Sequence, residues 1–205
     1  MPLRDFEVAS PSRCDHPAGL SPTNPVRPQT FALPRTHWHP SWQAAALHQR
    51  QPLQALAFWL QLEGSLTRAL TLRCRQRFHV DVVRETFTRP SLEESRRLGL
   101  PERQLAWVRE VRLCGDGQPW VLARTVMPAA TLRGSGRRLR HLGRRPLGSY
   151  LFATRQWQRS GFETGLCHSD GRNQPRVARR SCFHGPQGAI LVSEYFLPGL
   201  PRSAE

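Results

Sequence analysis

Two β-rich runs, Val108 to Cys114 and Trp120 to Met127, flank Gly115-Asp116-Gly117-Gln118, and this hairpin constrains the chain more than any other feature. An Asp-Gly pair between such runs favours a two-residue type I′ turn, because both central positions take positive φ. The turn then sets the antiparallel register. With Asp116 and Gly117 at its tip, Leu113 is expected opposite Trp120, Val111 opposite Leu122, and Arg109 opposite Arg124. One face carries Arg109, Val111, Leu113, Trp120, Leu122, Arg124 and Val126. The other carries Glu110, Arg112, Val121, Ala123 and Thr125, a mixed surface able to meet water. Like charges directly opposed destabilise a sheet. Burying even one without a partner costs on the order of several kcal/mol. Something anionic should therefore compensate Arg109 and Arg124.

The last apolar run, Ala189 to Leu197, is stopped by Pro198 and reads as a strand. Ile190, Val192, Glu194 and Phe196 share one face of it, which sets Glu194 among large apolar side chains. A carboxylate there is either paired with an arginine or raised in pKa by desolvation. The first case is a structural ion pair inside the core. The second is a small, mostly apolar pocket with an arginine clamp at one end and a carboxylate at the other. Such a pocket suits a planar ring bearing a carboxylate and, across from it, a hydroxyl, since arginine grips a carboxylate through its planar fork. The residues alone leave both cases open.

Elsewhere the chain alternates short helices with strands. Leu53, Leu56, Ala57 and Leu60, with Phe58-Trp59, fit an amphipathic helix ending near Glu63-Gly64. Ser65 caps a second helix through Leu66 to Leu70, and Arg77 to Thr86 reads as a strand. Ser91 with Glu94 forms a capping box that opens a further short helix. Gly134 to Arg145 is basic and glycine-punctuated, with a short helix around Arg137 to Leu142. Pro146-Leu147-Gly148 makes a turn before Ser149 to Thr154, and residues 165–180 read as an irregular loop. Residues 1–40 hold eight prolines and no period, so they are read as a disordered extension preceding a single domain over 41–205. Hairpins joined by short helices, without regular β-α alternation, predict an α+β fold with an antiparallel sheet.

Charge and cysteine content narrow the function classes. The net charge is +15, and all 30 basic residues are arginine. So uniform a usage reads as compositional background, although the field still draws small anions inward. A nucleic-acid surface built on Arg137, Arg138, Arg140, Arg144, Arg145, Arg179 and Arg180 would lack the interleaved aromatics that stack on bases. No nucleic-acid partner is expected. The five cysteines form no CxxC pair, which argues against a disulfide framework or a zinc site. No secretory h-region or membrane-length apolar run is present, so a reduced cytoplasmic protein without membrane insertion is expected. His37 and His39 beside Trp38 read as a solvated segment. Ser149 lacks a nucleophile elbow, and Arg133-Gly134-Ser135-Gly136-Arg137 is no phosphate-binding fingerprint.

Three segments resemble the chorismate pyruvate-lyase family. They are Val108 through Trp120 continuing into Ala123 to Val126, Gly143 through Phe152, and Ser193 through Pro198; Leu62 to Thr67 is a weaker fourth. Order and approximate spacing agree over roughly residues 50 to 200. The resemblance implies an antiparallel sheet covered by helices, with helical flaps over a buried ligand pocket. It places the family's ligand-holding arginine on Arg109, its buried glutamate on Glu194 and its flap-turn leucine on Leu147. A position that is often methionine falls on Leu66, a change that conserves volume. Arg124 is expected to assist electrostatically. The implied reaction converts chorismate to 4-hydroxybenzoate and pyruvate on the route to ubiquinone, in a monomer, with no metal or organic cofactor. The competing expectation is a non-catalytic effector-sensing domain of the same fold.

Overall fold

Eight strands form one antiparallel sheet in the computed structural model, which describes residues 33–48 and 53–201. The strands are β1 (Arg35–His39), β2 (Phe78–Thr88), β3 (Ala106–Gly115), β4 (Gln118–Pro128), β5 (Gln158–Arg159), β6 (Glu163–His168), β7 (Val177–Gly185) and β8 (Gly188–Phe196). Their order across the sheet is β1-β6-β7-β8-β4-β3-β2, with β5 also pairing with β7. The helices are α1 (Trp42–Ala46), α2 (Ala57–Gln61), α3 (Leu66–Arg73), α4 (Leu92–Leu98) and α5 (Leu147–Leu151), plus 3-10 turns over Leu53–Leu56 and Gly134–His141. The fold is α+β, with an antiparallel sheet and flanking helices.

The hairpin forms at the expected turn. Asp116 and Gly117 have φ of 51° and 81°, as a type I′ turn requires. Its register is one residue away from the expected one. Cys114 still faces Pro119, but Leu113 faces Val121, which leaves Trp120 as an extra residue on β4. A proline withholds a ladder hydrogen bond and is tolerated at bulges. The indole also sits against Gly115, where a Cβ would meet ring atoms at 2.2–2.6 Å. A one-residue slip turns every later side chain to the other face. Arg109 therefore faces Thr125, and Arg124 faces Glu110. The expected pair of adjacent arginines does not exist.

A second bulge, at Val83 on β2, has the same electrostatic consequence. Val82 faces Val111, but Arg84 then faces Glu110 and Glu85 faces Arg109. Without the extra residue, Arg84 would lie opposite Arg109. The two irregularities together put a carboxylate beside each of these central arginines.

The sheet separates two differently built layers. On one face, Trp59, Leu60, Leu66 and Leu70 pack with Val111, Leu113, Val121 and Phe196. On that same face Leu139, Leu142 and Leu151 pack with Met127, Phe183 and Ile190. On the other, Leu98 and Leu100, at and just beyond the end of α4, cover Ala106, Val108, Val126, Cys182 and Leu191. The capping box opens α4 as expected, and Gly99, with φ of 63°, closes it.

Several further expectations change. Residues 165–180 are not one loop, because β6 and the start of β7 occupy half of them, at 165–168 and 177–180. Arg179 and Arg180 masked β7 as a strand, yet both are buried. Residues 35–39, read as part of the extension, form β1 and pair with β6 from Arg35–His168 to His39–Thr164. His39, expected in solvent, is 7% exposed; residues 1–32 lie outside the described residues. Finally, α3 runs on to Arg73 beyond Leu70, and Leu147 opens a helix rather than a turn.

Candidate active site

Between the two apolar clusters on the helix-covered face, the sheet presents a polar row. Arg109, Thr125, Val192 and Ser181 stand in register there, with Ala123, Glu194 and Arg179 in the next row. Above them lies a cavity whose space, open solvent at its mouth included, is about 630 Å³. The starts of α3 and α5 meet as its cover. Gly148 permits their approach, since a Cβ there would lie 2.9 Å from the Ser65 hydroxyl, which itself caps α3 by accepting from the Arg68 N–H.

The cavity wall includes Leu66, Arg109, Leu147 and Glu194 and does not include Arg124. Arg109 is 2% exposed. Its guanidinium donates to Glu85 and to the carbonyls of Gly143 (2.8 Å) and Arg145 (3.2 Å), which tether it to the segment leading into α5. Glu194 accepts from Arg179 Nε at 2.6 Å. Arg179 also donates to the carbonyls of Trp59 (2.7 Å) and Leu62 (2.9 Å), which ties β7 to the approach to α3. Glu194 is thus ion-paired as the first of the two open cases described, and its pair lies in the cavity wall as in the second.

Arg124 sits on the opposite face. It donates to both carboxylate oxygens of Glu94, at 2.7 and 3.0 Å, and to Glu110 at 2.5 Å. Burial alone would lift the Glu94 pKa, but the hydrogen bonds and charge of Arg124 outweigh it and hold the carboxyl below its ordinary 4.5. This is a structural ionic cluster, and the slip at Trp120 is what moves Arg124 into it.

Among the wall residues not singled out from the sequence as site residues are Arg159, Phe162 and Arg179. Arg179 was legible only as one of a run of arginines. The available signal was Val177 to Phe183, whose alternation would have put Arg179 on the same face as Phe183. The rings of the cavity hold cations: Phe162 has the Cζ atoms of Arg159 and Arg179 each 4.4 Å from its centroid. No cluster of metal-ligating side chains occurs among the described residues.

Comparison with known proteins agrees with the motifs. The family model described as chorismate lyase matches residues 35–203. A probable chorismate pyruvate-lyase of Marinobacter nauticus is 51% identical over 99% of this chain and 98% of its own. One from Methylococcus capsulatus is 42% identical over 71% of this chain and 98% of its own. Among solved structures, the effector domain of PhnF from Mycobacterium smegmatis matches 66% of this chain and 89% of its own at 16% identity, with a TM-score of 0.42. That likeness is too loose to bear on function. The family model spans the whole sheet and every wall residue of the cavity, and the chain belongs to the chorismate lyase family.

Proposed function

We propose that the protein converts chorismate to 4-hydroxybenzoate and pyruvate in the cavity between α3, α5 and the sheet, as a cytoplasmic monomer supplying the aromatic precursor of ubiquinone. The reading is carried by one observation: in a chain of this family, Leu66, Arg109, Leu147 and Glu194 come from four separate segments and line one cavity.

Chorismate carries a ring carboxylate, an enolpyruvyl ether and a ring hydroxyl. The reaction breaks the ether C–O bond at the ring and removes hydrogen from the neighbouring hydroxyl-bearing carbon. A proton is delivered to the three-carbon fragment, which becomes pyruvate as the ring becomes aromatic. Aromatisation supplies the driving force, so the protein's task is geometry and charge. Arg109 anchors the ring carboxylate, its orientation preset by Glu85 and two carbonyls. Glu194 meets the oxygen at the far end of the ring and mediates proton transfer there, with Arg179 fixing its position. Backbone groups at Leu66 and Leu147 complete the enclosure. The starts of α3 and α5 act as flaps that exclude water and hold the ether in a reactive pose, an effect worth on the order of several kcal/mol. Opening them to release product is then the slow step.

The test is to incubate purified protein with chorismate, without added metal, and follow 4-hydroxybenzoate absorbance alongside a pyruvate assay. Equal formation of both products is expected. Folded protein that forms neither overturns the proposal.

A further inference from the structure

We propose that Arg159 binds the second carboxylate of the substrate, the one that departs in pyruvate, and so distinguishes the dianionic substrate from monoanionic 4-hydroxybenzoate. This rests on the function proposed above.

The position of Arg159 comes from a break in one strand. β6 pairs with β7 with Glu163 opposite Arg180, whereas in β5 Arg159 lies opposite Phe183. The two pairings differ in register by one residue. The offset between them, at Ser160 to Phe162, is held by Ser160 N–H donating to the Cys182 carbonyl at 2.8 Å and by Cys182 N–H donating to Ser160 Oγ at 3.0 Å. Directly opposed residues share a face, so Arg159 joins Phe183 on the cavity side. It also belongs to the wall of an outer cleft bordered by Ser41, Glu63 and Thr164. The guanidinium therefore stands where the cavity meets the outside.

Of the three arginines in the cavity wall, Arg159 is the one whose donors are unused. Arg109 and Arg179 each have a carboxylate and two carbonyls. Among the described residues, Arg159 has neither a hydrogen-bond acceptor nor an ion pair, only the faces of Phe162 at 4.4 Å and Phe152 at 5.5 Å. Stacking occupies the face of the guanidinium and leaves its edge, which carries the N–H donors, free for a planar anion. Glu63 borders the outer cleft but lies outside ion-pair distance. Arg159 and Arg179 share the Phe162 ring, so their like charges repel, while Glu194, already paired with Arg179, and Glu63 attract Arg159 without forming an ion pair with it. Burial and then the charge of Arg179 both lower the Arg159 pKa. The site is thus short of negative charge at the Glu194 end, and the enolpyruvyl carboxylate supplies it. Once the ether breaks, this carboxylate leaves with pyruvate.

Arg159→Gln and Arg159→Lys in the full chain test this through three readings: KM and kcat for chorismate, Kd for 4-hydroxybenzoate, and inhibition by pyruvate. Arg159→Gln should raise KM for chorismate by about tenfold or more, the loss expected for a charge-assisted contact. It should weaken pyruvate inhibition in parallel and leave the 4-hydroxybenzoate Kd within about twofold of the parent, since that ligand lacks the second carboxylate. Arg159→Lys, which keeps the charge but loses the fork, should fall between. Unchanged KM overturns the proposal. So does an equal loss of affinity for both ligands in either variant, which would mean that Arg159 only shapes the cavity. A parent protein that consumes no chorismate overturns the function itself, and this proposal with it, before any variant is compared.

Discussion

Both faces of the sheet bury arginines, and they treat them in opposite ways. On the α4 face, Arg84, Arg97, Arg124 and Arg180 meet Glu93, Glu94, Glu110 and Glu163, with every arginine in at least one ion pair. On the cavity face, Arg109 and Arg179 pair with Glu85 and Glu194, and Arg159 has no such partner among the described residues. The matched layer holds strands and helix together and leaves no charge to offer. The unmatched one keeps an excess cation facing the cavity. Burying an ion pair costs desolvation that is recovered only with good geometry and further hydrogen bonds. Completeness of pairing therefore separates a structural charge layer from a binding one.

That contrast breaks down if substitutions on the two faces behave alike. The largest effect should come from Arg109→Gln, which removes the proposed ligand anchor. We expect kcat/KM for chorismate to fall by roughly 10²-fold or more, with the circular dichroism spectrum unchanged. Arg124→Met should do the reverse. It leaves Glu94 and Glu110 without their shared cation, a change that costs about 3–5 kcal/mol at buried sites. Thermal melting should show that loss, while kcat of the folded fraction stays within about twofold because Arg124 does not touch the cavity.

Acid should probe the same layer more gently. The Glu94 carboxyl is depressed below its ordinary 4.5, so the stability it contributes is fully present above that value and is lost as pH falls through its folded-state pKa. In the parent, Tm should decline below pH 4.5, and in Glu94→Gln that part of the decline should disappear. A Glu94→Gln profile that tracks the parent throughout would show that Glu94 carries none of this dependence. The smallest effect belongs to Asp81→Asn. This removes one partner of Arg112, at 3.1 Å, but the Asp81 side chain is 43% exposed. An exposed pair contributes only about 0–1 kcal/mol, so both activity and Tm should barely move.

Much of the local structure was legible. The Asp116-Gly117 turn, the Ser91–Glu94 capping box, the Ser65 cap and the apolar run ending at Pro198 each depend on residues close together in sequence, and each forms where expected. Of the wall residues, Arg109 and Glu194 stood out because a charge in an apolar strand has to be explained. Arg159 did not, because nothing near it in sequence marks the interrupted strand. β7 was missed because its charged residues fall on both faces, and the alternation that identifies a half-buried strand disappears when each face binds its own carboxylates.

The sequence by itself determined the elements, the tight turn, the motif segments and hence the family. Which face each charge occupies was decided only in the tertiary structure. Side chains alternate with period two, so a single extra residue reverses every assignment beyond it. At Trp120 that residue is placed by packing: the indole fills space over Gly115 among α2, α3 and the sheet. At Val83 the bulge sets Glu85, rather than Arg84, opposite Arg109. A turn is chosen by its own few residues, whereas a bulge is chosen by the partners it aligns, and those come from across the chain.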